Sequence, residues 1–337
     1  MSIEIEYRRW KDVYIPINKK ISSMMHNFRQ KYEMKNILER FMLRMANEAD
    51  SGEVYVDLDS EHNIYQSLAM ETLNKKLMSS RLIKALIFSI HQRIHFHLKN
   101  IKDTILEDVE VTKAEYTYRY REFRFPMNPL RMECFKDISD EHIVKMLIRY
   151  SLMFLGGQQW NLPFIWYKET ISRFNISIEG CASPLNSQLM LCNDKAQFCS
   201  VFHDTDEPFG SLGSILDLPI DIIKNQVMFN NPPYVLEFMN RLMEVQTNWL
   251  EQVPVRIIMC VAAWEDAEYY QQALASRYLK YHERLKPNQH FYETIKRGEM
   301  TKIIAKFPSH IFIFSSHKKE IPKLVKSYLS ITDGWLI

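Results

Sequence analysis

Four consecutive residues, Asn231, Pro232, Pro233 and Tyr234, carry the most specific chemistry in the sequence. The side-chain oxygen of Asn231 and the backbone carbonyl of Pro232 are two acceptors that can take both protons of a planar exocyclic amine. The lone pair of such an amine is delocalised into its ring, which makes it a poor nucleophile. As the nitrogen turns towards tetrahedral, the lone pair becomes available to a methyl donor and the developing positive charge is stabilised. The prolines fix the backbone, so the acceptors need little reorganisation, and Tyr234 offers a flat face on which a base can stack. Methyl transfer to a planar nitrogen is the expected reaction, with positioning supplying most of the effect and no dedicated base required. A simple turn is the plain alternative for Asn-Pro-Pro. The tetrapeptide alone does not separate adenine N6 from the side-chain amide of glutamine.

This chemistry needs a rigid frame. An apolar run at 227–229 leads almost directly into Asn231, and helical spacing follows over 235–249. The tetrapeptide is therefore expected at the carboxyl edge of a strand, where open parallel sheets bind ligands. Runs at 174–178, 198–202, 255–262 and 310–314 read as further strands, and 269–281 as a helix. Strands alternating with helices predict an α/β fold with a mostly parallel sheet covered on both faces. The first half reads as helical. Apolar residues recur at three- and four-residue spacing over 18–100, as in Ile37, Phe41, Met42 and Met45, and Ser60 looks like a helix cap. The expected organisation is a helical domain over 1–140 and an α/β domain over 141–337. A helix over 137–155, capped by Ser139 with acids in its first turn, bridges them.

Glu179 closes the first strand of the α/β half and is followed by Gly180, Cys181, Ala182, Ser183, Pro184, Leu185 and Asn186. Small residues let a backbone approach a ligand closely, although a cap or turn explains Ser-Pro as well. This stretch is followed by Phe198-Cys199-Ser200, Phe202-His203-Asp204-Thr205-Asp206, Phe209-Gly210-Ser211, Leu216-Asp217 and then the tetrapeptide. In order and spacing the series resembles the catalytic domain of the cap-specific adenosine N6-methyltransferases, the phosphorylated-CTD-interacting-factor family. The resemblance continues through Trp264-Glu265, His290-Phe291-Tyr292 and the 310–314 run, and covers about residues 150–316.

The resemblance implies a Rossmann-like domain dependent on S-adenosyl-L-methionine (SAM), preceded by an α-helical domain. It implies N6-methylation of the first transcribed adenosine of capped mRNA, next to the m7G cap. Asn231, Pro232 and Pro233 would hold N6 and Tyr234 would stack on the adenine. Glu179, Ala182, Ser183, Pro184 and Asn186 would line the SAM pocket. Asp204 or Asp206 would take the ribose hydroxyls, Asp217 would reach the adenine end, and Trp264 and Tyr292 would face the RNA. The family usually ends the tetrapeptide with Phe; Tyr stacks equally well and adds a hydroxyl. The helical half shows no paired-Trp hairpin pattern, so a relative without a WW module is expected, with no docking to the polymerase tail.

Other constellations are weaker. Residues 116–125 interleave cations with aromatics at period two, which suggests a strand presenting Arg119 and Arg121, with Arg124 near its end. Cations suit phosphates and rings suit bases and a positively charged cap, while an exposed edge strand with core aromatics is the plainer account. Lys19, Lys20 and Arg29 could extend such a patch. His91 and His95 lie one helical turn apart, with His97 beside them, but no carboxylate or cysteine completes a metal set. Gly156-Gly157-Gln158-Gln159-Trp160 reads as a hinge that could close over the cofactor, or as a helix stop. A formal charge of +2 gives no global basic field, and only 8 glycines disfavour a phosphate loop. Five unpatterned cysteines suggest free thiols in a reducing intracellular compartment, with cytoplasm or nucleus open. The N-terminus lacks the apolar core of a signal peptide, and no run is long enough to span a membrane. Capped RNA is the expected partner, and the oligomeric state is not legible.

Overall fold

The computed structural model describes residues 3–24, 110–151, 160–193, 197–296, 299–317 and 331–336. Most of the helical pattern over 18–100, with Arg29, the Ser60 cap and the three histidines, lies outside them, as do residues 156–159 of the hinge. The chain forms two units, Met1–Pro126 with Asp137–Gly156, and Met127–Lys136 with Gly157–Ile337. The single boundary expected near residue 140 is thus replaced by an interleaved division.

In the first unit, α1 (Ile3–Arg8), a π-helical turn (Arg9–Tyr14) and α2 (Ile15–Met24) precede an antiparallel meander. Its strands are β1 (Thr112–Ala114), β2 (Thr117–Tyr120) and β3 (Phe123–Pro126). After α3 (Pro129–Cys134), which belongs to the second unit, the chain returns in α4 (Asp140–Ser151). Alternation along β2 and β3 buries Tyr118, Tyr120 and Phe123 and leaves Arg119 and Arg124 exposed. Ser139 accepts the backbone N–H of His142 and caps α4. Buried Ile143, Met146 and Leu147 and the contact of α4 with α1 and β2 place this helix here rather than in the α/β unit.

The period-two run at 116–125 is two strands rather than one. The chain reverses at Arg121 and Glu122, with Arg121 in the left-handed region at φ 51°. Arg121 therefore leaves the face that carries Arg119, and its Nε pairs with Glu4 at 3.1 Å. Arg119 instead lies directly opposite Arg124.

The second unit is built on a six-stranded sheet in the order β5-β4-β6-β7-β11-β8. The strands are β4 (Ile178–Glu179), β5 (Gln197–Phe198), β6 (Val227–Asn230), β7 (Arg256–Ala262), β8 (Leu279–Leu285) and β11 (Ser309–Ser315), while β9 (Phe291–Lys296) and β10 (Glu299–Ile304) form a separate hairpin. Strands β5, β4, β6 and β7 pair in parallel, and β11 runs antiparallel to both β7 and β8. The covering helices are α5 (Phe164–Phe174), α6 (Leu189–Cys192), α7 (His203–Asp206), α8 (Ile220–Ile223), α9 (Leu236–Gln252) and α10 (Glu268–Ala275). Alternation divides the core into two layers. Ile257, Met259, Val261, Phe312 and Phe314 join Leu242 and Trp249 of α9 on one face. Ile258, Cys260, Ile311 and Ile313 join Trp166 and Tyr167 of α5 on the other.

Several strand limits differ from the sequence reading. Phe174 ends α5, because Asn175 takes the left-handed conformation and stops the helix, so β4 is only two residues long. The 198–202 run pairs only at its start. The helix expected over 269–281 stops at Ala275, and the alternating Leu279, Tyr281, Glu283 and Leu285 belong to β8.

Glu6 receives Nε and Nη2 of Arg149 at 2.9 and 2.6 Å, both side chains being fully buried. Glu6→Gln should destabilise the first unit by about 3–5 kcal/mol, read by urea unfolding, because it removes the bidentate carboxylate from a buried guanidinium. His310 bonds Tyr270 Oη at 2.7 Å and His282 at 3.0 Å. Burial, then His282 and Arg284, lowers its pKa to about 3 from an ordinary 6.5. The unfolded chain therefore takes up this proton first as pH falls. Stability should decline from pH 6.5 towards 3, and less steeply in His310→Asn.

Candidate active site

The parallel strands deliver Glu179, Phe198, Asn230 and Ala262 to one edge of the sheet, and the reversed β11 brings its first residue, Ser309, opposite Ala262. Asn231 follows β6 directly at this edge, as the sequence predicts for a ligand-binding strand end. Its Nδ2 donates to the carbonyl oxygen of Trp160 at 2.9 Å. That bond fixes which way the carboxamide faces, and its Oδ1 is buried with no hydrogen-bond partner. A buried acceptor without a donor costs about 1–3 kcal/mol. The oxygen is thus held where it can receive an N–H from a bound group.

Pro232 is buried, and the carbonyl of Pro233 accepts Val235 N at 2.7 Å as the chain turns into α9. Among the described residues no backbone N–H reaches the Pro232 carbonyl. The Tyr234 ring meets Trp264 and Phe307 edge-on at centroid separations of 6.3 and 5.6 Å. Trp264 is 40% exposed and offers part of its indole to solvent. Tyr292 does not. It is 1% exposed, stacked on Phe307 at 6.0 Å, and its hydroxyl meets that of Tyr234 at 2.7 Å. It backs the motif tyrosine and presents no open face to RNA.

The segment after β4 is stapled by its own side chains. Ser183 donates through its N–H and its hydroxyl to Asn186 Oδ1, at 2.7 and 3.0 Å, and Ser187 N–H returns to the Ser183 carbonyl. Asn161 Nδ2 donates to the Asn186 carbonyl, and Ala182 N–H to that of Cys199. Ala182 and Asn186 are partly exposed, whereas Ser183 and Pro184 are buried. Glu179 is turned inwards. Its carboxylate accepts Tyr167 Oη at 2.6 Å, Ser187 Oγ at 2.7 Å and Leu189 N at 3.2 Å. Burial raises its pKa, opposed by these three donors and by the nearby Arg131 guanidinium. Glu179 therefore shapes the loop from beneath rather than lining a pocket with a free carboxylate. Arg131, which sequence reasoning passed over, donates from Nη1 to the Ser187 carbonyl at 2.6 Å while fully buried.

The acids expected at the far end of the cofactor separate by exposure. Asp206 is fully buried and accepts Thr205 Oγ1 at 3.0 Å, which removes it from ligand contact. Asp204 is partly exposed, and Asp217 is exposed on a 3-10 turn capped by Ser214.

Asn230 is a second residue that sequence reasoning missed. It is fully buried, and neither its Oδ1 nor its Nδ2 has a partner. A Cβ on Gly180 would lie 1.9 Å from Asn230 Oδ1, so only glycine lets the two strand ends approach. A carboxamide with both a donor and an acceptor unpaired complements a group that carries both an ammonium and a carboxylate. The chemistry of this edge thus fits the amino-acid end of SAM. The signal in the sequence was an Asn at the end of a wholly apolar strand. In the first unit, Arg119 and Arg124 are exposed side by side, and like charges directly opposed on a sheet repel. Among the described residues no cluster of His, Cys, Asp and Glu could hold a metal ion, and no helix is long and apolar enough to cross a membrane.

Residues 130–294 match the family model described as the phosphorylated CTD interacting factor 1 WW domain. A human mRNA (2'-O-methyladenosine-N(6)-)-methyltransferase is 31% identical over 149 residues, which cover 40% of this chain and 20% of the human protein. Its mouse counterpart is 29% identical over 187 residues, 51% of this chain and 24% of the mouse protein. The chain thus spans between a fifth and a quarter of the length of these relatives. The family match overturns the expectation of a relative without the WW module, and with it the exclusion of docking to the polymerase tail. That expectation rested on a missing paired-Trp pattern in the helical half, whereas the match begins at residue 130, includes α4 of the first unit and runs on through most of the α/β unit.

Proposed function

We propose that this chain transfers a methyl group from SAM to N6 of the first adenosine of capped mRNA. The observation that carries this reading is the buried Asn231 oxygen, oriented by Trp160 and left without a donor. Asn231 Oδ1 and the Pro232 carbonyl hold the two N6 protons, so the nitrogen can pyramidalise with its charge stabilised. Pro233 stiffens the turn, and the Tyr234 ring, with Trp264 beside it, packs against the base. The cofactor, when bound, supplies an electrophilic methyl on a sulfonium. Asn230, Ala182, Asn186 and the 180–187 backbone hold its amino-acid end, and Asp204 its ribose hydroxyls, with Asp217 near the adenine. Glu179, Ser183 and Pro184 keep that loop in shape.

The strand order supports a Rossmann-like methyltransferase domain. Parallel β5, β4, β6 and β7 are followed by a reversed β11 inserted between β7 and β8, and the ligand edge lies where the strand order turns back, with β5 laid on one side of β4 and β6 on the other. The names of the two relatives support the substrate, and the helical pattern of the first half supports a preceding helical domain. Arg119 and Arg124 form a cationic pair for RNA phosphates; Arg121, paired with Glu4, contributes less.

Incubation with labelled SAM and RNA that starts with adenosine, capped or uncapped, tests the assignment. Label should enter capped RNA at N6. Transfer chiefly to duplex DNA, internal RNA adenosines or protein glutamine would reject the cap reading, and absence of SAM binding would leave a non-catalytic RNA-binding subunit. Asn231→Ala should lower kcat by about 100- to 1,000-fold with SAM affinity by calorimetry retained. Near-normal turnover in that variant refutes the proposed role of the carboxamide.

A further inference from the structure

A buried chain of hydrogen bonds leads away from the motif tyrosine. Tyr234 Oη meets Tyr292 Oη at 2.7 Å, Tyr292 Oη meets Ser309 Oγ at 2.7 Å, and Ser309 Oγ meets His290 Nε2 at 2.8 Å. The other imidazole nitrogen, Nδ1, lies 3.2 Å from the Lys286 carbonyl. Tyr292, Ser309 and His290 are all buried. The direction of every bond follows from the last one. A carbonyl only accepts, so Nδ1 carries the proton. Burial lowers the pKa of His290 and keeps the ring neutral, so Nε2 must accept. Ser309 then donates to Nε2 and accepts from Tyr292, and Tyr292 accepts from Tyr234. The thiol of Cys260, 3.8 Å from Tyr292 Oη, is kept protonated by burial and offers a weak additional donor. Tyr234 is thus obliged to point its O–H at Tyr292, and rotation of its ring would break a chain whose other members are locked.

We propose that His290, through Ser309 and Tyr292, fixes the ring of Tyr234 in the orientation in which it meets the substrate base. The three are positioning residues, and the inference rests on the methyltransferase reading given above. It also gives the Tyr hydroxyl a task where the resembling family usually carries Phe. The ring is held by a polar tether as well as by its edge contacts with Trp264 and Phe307.

The test is a double-substitution cycle in the whole chain: Tyr234→Phe, Ser309→Ala and both together. The readouts are KM for capped RNA, KM for SAM, kcat and thermal midpoint. Ser309→Ala should raise KM for RNA about fivefold, the effect of losing one hydrogen bond, and leave KM for SAM unchanged. Tyr234→Phe should do the same, and the double variant no more than either alone. Any loss of thermal stability from Ser309→Ala should persist when Tyr234→Phe is already present, which separates folding from positioning. If Ser309→Ala does not fold, His290→Gln and His290→Leu replace it. Glutamine offers an acceptor near the place of Nε2 and should keep KM near normal, and leucine should raise it. Multiplicative KM effects in the double variant, or equal KM values for Gln and Leu at 290, overturn the inference while methyl transfer stands. A wild-type chain without transfer or RNA binding removes the functional reading and this inference with it.

Discussion

The bond from Asn231 Nδ2 to the Trp160 carbonyl sets the rest of the site. A carboxamide is nearly symmetric in shape, and rotation by half a turn exchanges a donor for an acceptor. By using up the donor, Trp160 leaves only the acceptor unpaired. The orientation is maintained at the cost of an unpaired buried oxygen, and such a cost is tolerated only where surrounding structure enforces it. Here the enforcement comes from the parallel β6, which ends one residue earlier, and from two prolines that deny the chain alternative paths.

Much of the remaining polar architecture at this edge serves to hold loops. Glu179, Arg131, Ser187 and Tyr167 form a buried hydrogen-bonded set that anchors the 180–187 segment. Ser183 and Asn186 close the turn above it. Besides single atoms of Arg131, Asn161 and Gln188 nearby, the groups left unpaired at this edge are both amide atoms of Asn230 and the side-chain oxygen of Asn231. They lie on consecutive residues at one strand end, next to the glycine that allows β4 and β6 to approach so closely.

The strongly apolar strands β6, β7 and β11 and the long helix α9 were legible because their period and length are unambiguous. The place of the tetrapeptide at a strand end was legible for the same reason. The two-residue strands β4 and β5 were overextended, since pairing rather than composition decides where so short a strand stops. The first residues of β8, 279–281, read as the end of a helix because Leu279 and Tyr281 lie at a spacing that the preceding helical run tolerates. Residues 116–125 read as one strand because nothing in Arg121-Glu122 announces a reversal; Arg121 carries a positive φ without being Gly or Asn. Within the site, residue type indicated which groups could bind but not which way they face. Glu179, Asp206 and Tyr292 are all suitable in kind and are all turned inwards.

The reversed β11 has a consequence for how the site comes into being. It lies inside the sheet, between β7 and β8, yet it is the last of the described sheet strands to be synthesised. Until residues 309–315 emerge from the ribosome, the hydrophobic β7 and the amphipathic β8 each carry an open edge with unpaired backbone groups. Such edges invite pairing with other chains. The nascent chain therefore passes through a stage in which the Asn231–Tyr234 segment is complete but the sheet beneath it is not. Any shortening that removes β11 leaves that vulnerable stage as the end point.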